Sequence, residues 1–117
     1  MAAITKPVSE AKLVLHVPSR KIRYDSRHGK FGRIKTNGRV RIVIAEARRY
    51  YDNNPWIARG FDKADQDYAV AEYRRGASAK QTVKGLNNPN RASGSGKKYT
   101  HDMYRDLIRD VRECGLN

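Results

Sequence analysis

Two clusters of cationic side chains are the groups in this sequence that could do chemistry, and that chemistry is noncovalent recognition of a polyanion. The 117 residues include 25 Lys and Arg against 12 Asp and Glu, a net charge of +13. Residues 1–60 hold 14 of the cations and 4 of the acids, whereas residues 61–117 hold 11 and 8. Such an excess favours DNA, RNA or an anionic membrane surface as partner. Nucleic acid is the strongest of these, because the charge accompanies a helix-turn-helix pattern.

The first cluster lies between residues 20 and 41 and combines cations with flat side chains. Tyr24, His28 and Phe31 lie among its Lys and Arg residues. This mixture suits phosphate contact along duplex DNA with Arg in a minor groove, and it equally suits RNA, where bases stack on exposed rings. A solvated basic loop is the third interpretation. The candidate DNA contacts here are Arg20, Lys21, Arg23, Arg27, Lys30, Arg33, Lys35, Arg39 and Arg41.

The second cluster surrounds the last predicted helix. Basic residues spaced by four occupy one flank of this helix, where Arg can make paired hydrogen bonds to guanine or contact phosphate. Acidic residues, Asp102, Asp106, Asp110 and Glu113, occupy the other flank. The helix is therefore either a groove contact or a solvated helix with neighbouring Asp–Arg pairs, and the sequence leaves both open. The candidate DNA contacts here are Lys97, Lys98, Thr100, His101, Arg105 and Arg109.

Catalytic and metal chemistry have little support in the sequence. His16, His28 and His101 lack the spacing of metal ligands. The Asp residues between 102 and 110 are more typical of a soluble helix surface than of a metal site. Residues 94–98 are too short for a phosphate-binding P-loop and follow no strand. We therefore expect no enzyme activity, no metal and no cofactor.

Cysteine content and hydropathy indicate the cellular compartment. Cys114 is the only cysteine, so no disulfide can form within the chain, which suits a reducing interior. The N-terminus lacks the apolar run of a signal peptide, and no segment approaches the length of a membrane span. We expect a cytoplasmic or nucleoid protein without a membrane partner.

Capping residues predict three helices between residues 62 and 113. Asp62 is placed to cap the first helix, and Gly76 is a typical left-handed terminator. Ser78 caps a short second helix to about Leu86, and residues 87–98 are rich in Gly, Ser and Asn, as loops are. Thr100 caps the last helix, which Gly115 ends. The pattern predicts a trihelical helix-turn-helix unit.

The N-terminal part of the chain is more ambiguous. Residues 1–36 are predicted to form a basic arm that is extended and includes a short strand over Lys12–Val17. Residues 37–117 are predicted to form a helical DNA-binding domain. Apolar residues at helical spacing favour a helix over 39–52. The alternative is a hairpin over 34–44, whose three-residue loop would pair Ile34 with Val40. The predicted fold class is mostly α, or α+β if the hairpin forms.

One segment of the chain resembles a known family. The residues that carry the resemblance are Gly76, Ser78, Val83, Leu86 and Asn87, followed by Gly96, Lys97, Lys98, Tyr99, Thr100, Tyr104 and Leu107. Together with the loop of about a dozen residues between the two sets, they resemble the helix-turn-helix in the DNA-binding region of large serine recombinases. Thr82 stands where that family has an aliphatic residue, and Tyr99 where it has tryptophan. The chain lacks room for the family's catalytic domain, so the resemblance implies double-stranded DNA binding without strand transfer.

These patterns predict a small double-stranded DNA-binding protein with a regulatory or architectural role. If it regulates transcription we expect a homodimer, because one such unit contacts few base pairs. One alternative is an RNA-binding component of a ribonucleoprotein. The other is a protein-interaction module that inhibits a nucleic-acid enzyme through its basic surface.

Overall fold

The computed structural model describes residues 3–91 and 97–116, and these form a mostly α fold with a small antiparallel sheet, as predicted. In chain order the elements are β1 (Thr5–Pro7), α1 (Val8–Leu15), α2 (Ser19–Arg27), β2 (Arg33–Thr36), β3 (Arg39–Val43), α3 (Ile44–Asn53), α4 (Lys63–Arg75), α5 (Ala79–Leu86) and α6 (His101–Glu113). The chain divides into two units. Unit 1 runs to Trp56 and includes Asp110–Leu116, and unit 2 spans Ile57–Arg109. Helix α6 therefore begins in unit 2, and its last residues belong to unit 1.

The sheet of unit 1 is a hairpin with one added strand, in the order β1-β3-β2. Asn37 and Gly38 both adopt left-handed backbone conformations, with φ of 51° and 77°, as a two-residue hairpin turn requires. The turn pairs Ile34 with Arg41, so the predicted three-residue loop with Ile34 opposite Val40 is wrong. The three-residue loop would have paired apolar Ile34 with apolar Val40, but β2 is solvent-exposed at all four positions and has no buried face to preserve.

Residues 39–43 form a strand, although the sequence favoured a helix from residue 39. Val40, Ile42 and Val43 are β-branched, and β3 pairs with strands on both sides, which favours the extended conformation. The helix begins instead at Ile44 and ends at Asn53. The hairpin alternative is thus correct, and the helical periodicity applies only to the second half of the segment.

In place of the extended arm expected over residues 1–36, the chain folds into β1, α1, α2 and β2. The strand predicted at Lys12–Val17 is wrong, because Val8–Leu15 is helical and buries Val8 and Ala11 on one face. His16, with φ of 54°, ends α1 in a left-handed conformation, and its N–H donates to the Lys12 carbonyl. Only two further residues precede α2, so α1 and α2 form a helix-turn-helix.

Helix α2 is held in place by buried polar side chains as well as by a buried apolar one. Ile22, Asp25 and Ser26 face the interior of unit 1. The Tyr51 hydroxyl donates a hydrogen bond of 2.8 Å to Asp25 Oδ2, and the Lys21 ammonium lies 3.2 Å from Asp25 Oδ1. Burial of the Tyr51 side chain raises its pKa, and the hydrogen bond to Asp25 raises that pKa further. The Asp25 carboxylate thus links α2 to α3.

The end of α6 packs against the start of α2 within unit 1. Asp110 is buried and accepts two hydrogen bonds from the Arg20 guanidinium, at 2.5 and 2.6 Å. The predicted solvated position of Asp110 is therefore wrong, since the carboxylate is paired inside the unit. Glu113 accepts from the Ser19 backbone N–H at 3.1 Å and from the Ser19 hydroxyl, which places a carboxylate at the N-terminus of α2. Burial raises the pKa of the neighbouring Cys114 thiol to about 11.

Replacing Glu113 with glutamine is expected to destabilise the protein at neutral pH but not in acid. Burial alone would raise the pKa of Glu113, but the Ser19 hydrogen bonds with Lys12 and Arg20 lower it below its ordinary value of 4.5. A lowered pKa in the folded state stabilises the protein above the unfolded pKa, and this stabilisation is lost as pH falls through the folded pKa. We expect E113Q to lose about 1 kcal/mol at pH 7, allowing for partial exposure.

Urea denaturation of wild type and E113Q at neutral and acidic pH measures this difference. The two unfolding free energies should begin to converge as pH falls below the ordinary carboxyl pKa and should meet once pH is below the lowered pKa of folded Glu113. A gap that stays constant across the titration would mean that Glu113 contributes through packing rather than through its charge.

Unit 2 confirms the helices and caps predicted from the sequence. The Asp62 side chain accepts from Asp65 N, Gly76 ends α4 with φ of 88°, and Ser78 forms a capping box with Gln81. Thr100 Oγ1 accepts from Met103 N at 3.2 Å. The middle of the predicted loop, residues 92–96, lies outside the described residues.

A buried carboxylate at Asp65 joins α4 to the segments after α5. The Arg91 guanidinium pairs with Asp65 Oδ1, and the Tyr99 hydroxyl donates to Asp65 Oδ2 at 2.5 Å. Arg91 also donates to the carbonyls of Gly85 and Leu86 and lies over the Tyr68 ring. The ion pair between Asp65 and Arg91 was not predicted from the sequence, because 26 residues separate the two side chains.

Candidate nucleic-acid interface

The exposed face of α2 concentrates cations on a helix. Arg20, Arg23, Tyr24 and Arg27 recur at positions i, i+3, i+4 and i+7 and fall within an arc of about 100°. All four are exposed, and the buried residues of α2 lie on the opposite side. The Tyr24 ring stacks on His28, with ring centroids 4.0 Å apart. The helix therefore presents arginines around one exposed aromatic pair.

The hairpin continues this basic surface within unit 1. Arg23 and Arg27 of α2 and Arg33 of β2 line a single cavity of about 170 Å³, together with Val8, Ser26 and Val40. Three guanidinium-bearing side chains around one concavity suit a phosphate group, because Arg presents planar, paired donors to phosphate oxygens. Helix and hairpin therefore form one continuous basic surface rather than two separate ones.

The remaining cations of the first cluster divide into exposed and engaged groups. Lys30, Lys35 and Arg39 are exposed around the hairpin. Arg41 is partly buried and donates to Thr5 Oγ1 and the Thr5 carbonyl, at 3.0 and 2.9 Å, so that its guanidinium joins β1 to β3. Together with the Arg20–Asp110 and Lys21–Asp25 pairs, this contact shows that three of the nine candidates help to hold the fold.

The candidate DNA contacts of the second cluster belong to unit 2, whereas those of the first cluster belong to unit 1. Lys97, Lys98, Thr100, His101, Arg105 and Arg109 are all exposed. On α6, Arg105 lies 3.5 Å from Asp102, and Arg109 lies 3.1 Å from Asp106. These are the neighbouring Asp–Arg pairs of the solvated-helix interpretation. DNA contact by this flank remains a prediction.

Sequence reasoning missed the helix-turn-helix formed by α1 and α2, although its signals are present. Arg20, Arg23 and Arg27 recur at helical spacing opposite Ile22, and Pro18 precedes them, as it often precedes a helix. Asn37-Gly38 is the strongest short-range hairpin signal. A helix-turn-helix followed by a basic hairpin could have been inferred from these residues together.

Metal-binding clusters, buried polar side-chain atoms without partners and membrane-spanning helices are all absent from the described residues. Within residues 3–91 and 97–116, no three His, Cys, Asp or Glu side chains come close enough to hold a metal ion. In the same ranges every buried side-chain nitrogen and oxygen has a hydrogen-bond partner. None of the helices formed by these residues has the length and apolar content to cross a bilayer.

Comparison with known proteins adds no relative, since neither a family, a curated protein nor a solved structure matches this chain.

Proposed function

We propose that this chain binds double-stranded DNA through unit 1, with α2 in the major groove and the β2–β3 hairpin on the adjacent backbone. The observation that carries this proposal is the shared cavity, where Arg23 and Arg27 of the helix meet Arg33 of the hairpin. Its role is regulatory or architectural.

The dimensions of a helix favour a duplex groove as its target. An α-helix with its side chains is about 10–12 Å across, and the major groove of B-DNA is about 12 Å wide. In a helix-turn-helix the second helix enters the groove. Here that helix is α2, and its exposed arc holds Arg23 and Arg27, which can donate to guanine or to phosphate, beside Arg20, which pairs with Asp110.

Duplex DNA is favoured over RNA by the distribution of aromatic rings. Single-stranded RNA is recognised largely by stacking of bases on exposed aromatic side chains, and the major groove of A-form RNA is too narrow for a helix. On unit 1, Phe31, Tyr50 and Tyr51 pack together, and Phe31 and Tyr51 are buried. Tyr24 is exposed but stacked on His28, so the surface offers cations rather than a row of rings.

A salt-titrated binding measurement tests this proposal. The full chain is titrated against a labelled DNA duplex of mixed sequence, its separated strands and an RNA hairpin. If the surface contacts four to six phosphates, log Kd for the duplex should rise with log salt with a slope of about 4–5 between roughly 50 and 200 mM. Tighter binding of single strands or of the RNA hairpin than of the duplex would contradict the proposal.

A further inference from the structure

We infer that α5 of unit 2 is a second contact for duplex DNA, made by Lys80, Gln81 and Lys84 together with Asn88, which follows the helix. This inference rests on the proposed function, since it takes the same polymer as ligand. It differs from the assignment made from the sequence, which gave the DNA contact of this unit to α6.

The turn that joins α4 to α5 has the same length and the same left-handed first residue as the turn that joins α1 to α2. Gly76 ends α4 in a left-handed conformation, and Ser78 caps α5 two residues later. In unit 1, left-handed His16 ends α1, and α2 begins after Pro18. Each pair is thus joined by three residues, which is the linker of a helix-turn-helix, and in such a pair the second helix contacts the groove.

The exposed face of α5 is cationic and free of carboxylates. Thr82, Val83 and Leu86 are buried. Opposite them, Lys80, Gln81 and Lys84 fall within an arc of about 100° and are exposed, and Asn88, which follows the end of the helix, is exposed as well. The sequence from Arg74 to Asn90 contains no Asp or Glu. A phosphate backbone approaching this face therefore meets cations without opposing charge.

The hydrogen bonds of this face leave donors for a ligand. Gln81, Lys84 and Asn88 line one concave surface with Gly85, Asn87 and Pro89. The Gln81 amide oxygen accepts from Ser78 N, and the Asn88 amide oxygen accepts from Asn90 N. Their NH2 groups and the Lys84 ammonium are the ends able to donate, and phosphate oxygens and the acceptor atoms of purine edges are what such groups recognise.

The flank of α6 is less suited to the same ligand. Arg105 and Arg109 are each paired with an exposed Asp one turn earlier, at 3.5 and 3.1 Å. A phosphate that contacts either arginine must approach a carboxylate as well, and like charges at this separation repel. Between α5 and α6, the charge pattern therefore selects α5.

Neutralising two lysines of α5 in the full chain tests this inference against a matched pair on α6. The variants are Lys80→Gln with Lys84→Gln, and Arg105→Gln with Arg109→Gln; each removes two exposed cations from a helix, and Gln preserves helix propensity. The α5 variant should bind the mixed-sequence duplex roughly fivefold more weakly, with the salt slope lower by about 2, while the α6 variant changes Kd less than twofold. Thermal unfolding of both should match wild type.

The outcomes separate this inference from the function on which it rests. If the α6 variant lowers the salt slope and the α5 variant does not, α6 is the contact and the inference is overturned. If neither variant changes binding while wild type binds duplex steeply with salt, the inference fails and the proposed function stands. If wild type shows no preference for duplex DNA, both fail together.

Discussion

Reversing two charges on α2, in the variant Arg23→Glu with Arg27→Glu, is expected to abolish duplex DNA binding at physiological salt. Both side chains are exposed on the arc of the helix that bears no buried residue, and both line the cavity shared with Arg33. The variant removes two phosphate contacts and places two carboxylates where phosphates would lie. Like charges at an interface cost several kcal/mol, so we expect Kd to rise roughly a thousandfold, equivalent to about 4 kcal/mol.

The matched control for this variant is Arg48→Glu with Arg49→Glu on α3. These residues are exposed and belong to the same unit, and the change in net charge is identical. Reversal there should weaken binding about tenfold at most, through the long-range field, and the loss should shrink as salt shortens the screening length. Anisotropy titrations across salt concentrations distinguish the two. Equal losses in both variants would mean that net charge, rather than the α2 surface, drives binding.

The features of unit 2 that were predictable are those set by local interactions. Asp62, Gly76, Ser78 and Thr100 act on backbone groups within about four residues, so their chemistry is readable from the sequence alone. The buried ion pair of Asp65 with Arg91 depends on a contact across 26 residues. Local patterns carry no information about such pairs.

Unit 1 was harder to predict because its helices are short and its buried residues include polar ones. Ile22 is the only apolar residue among the three that α2 buries, the others being Asp25 and Ser26. The sequence of α2 therefore lacks the repeated apolar positions that usually predict a helix. Such a helix is stabilised by tertiary contacts rather than by propensity. In residues 39–43, strand pairing on both sides overrode a helical spacing of apolar residues.

The candidate site was predictable in its location but not in its shape. Exposed arginines between residues 20 and 41 were identified from charge density, yet a list of cations cannot distinguish Arg23 from Arg20. Arg20 is paired with Asp110, which lies 90 residues away in the sequence, and Arg41 is engaged by Thr5. Only the folded chain separates arginines that hold the structure from those that line the cavity.

The largest stability effect is expected for Asp65→Asn in unit 2. Asp65 is fully buried, and its carboxylate accepts from the Arg91 guanidinium and the Tyr99 hydroxyl. The neutral amide leaves Arg91, whose side chain is only 10% exposed, without its counter-charge. Removing one partner of a buried pair costs about 3–5 kcal/mol, because the remaining charge stays desolvated. Urea denaturation at neutral pH should show this loss in the free energy of unfolding.

Asp67→Asn on the same helix provides the control, since Asp67 pairs with Lys63 on the surface at 2.8 Å. Both side chains of that pair are more than half exposed, so the substitution should cost at most about 1 kcal/mol. Both variants remove one negative charge from α4, but Asp65 alone lies in its first turn, so the helix dipole accounts for about 1 kcal/mol of the difference at most. If both variants lost the same free energy, Arg91 would have to be solvated in the variant, and the Asp65 carboxylate would not be what joins α4 to the segment before α6.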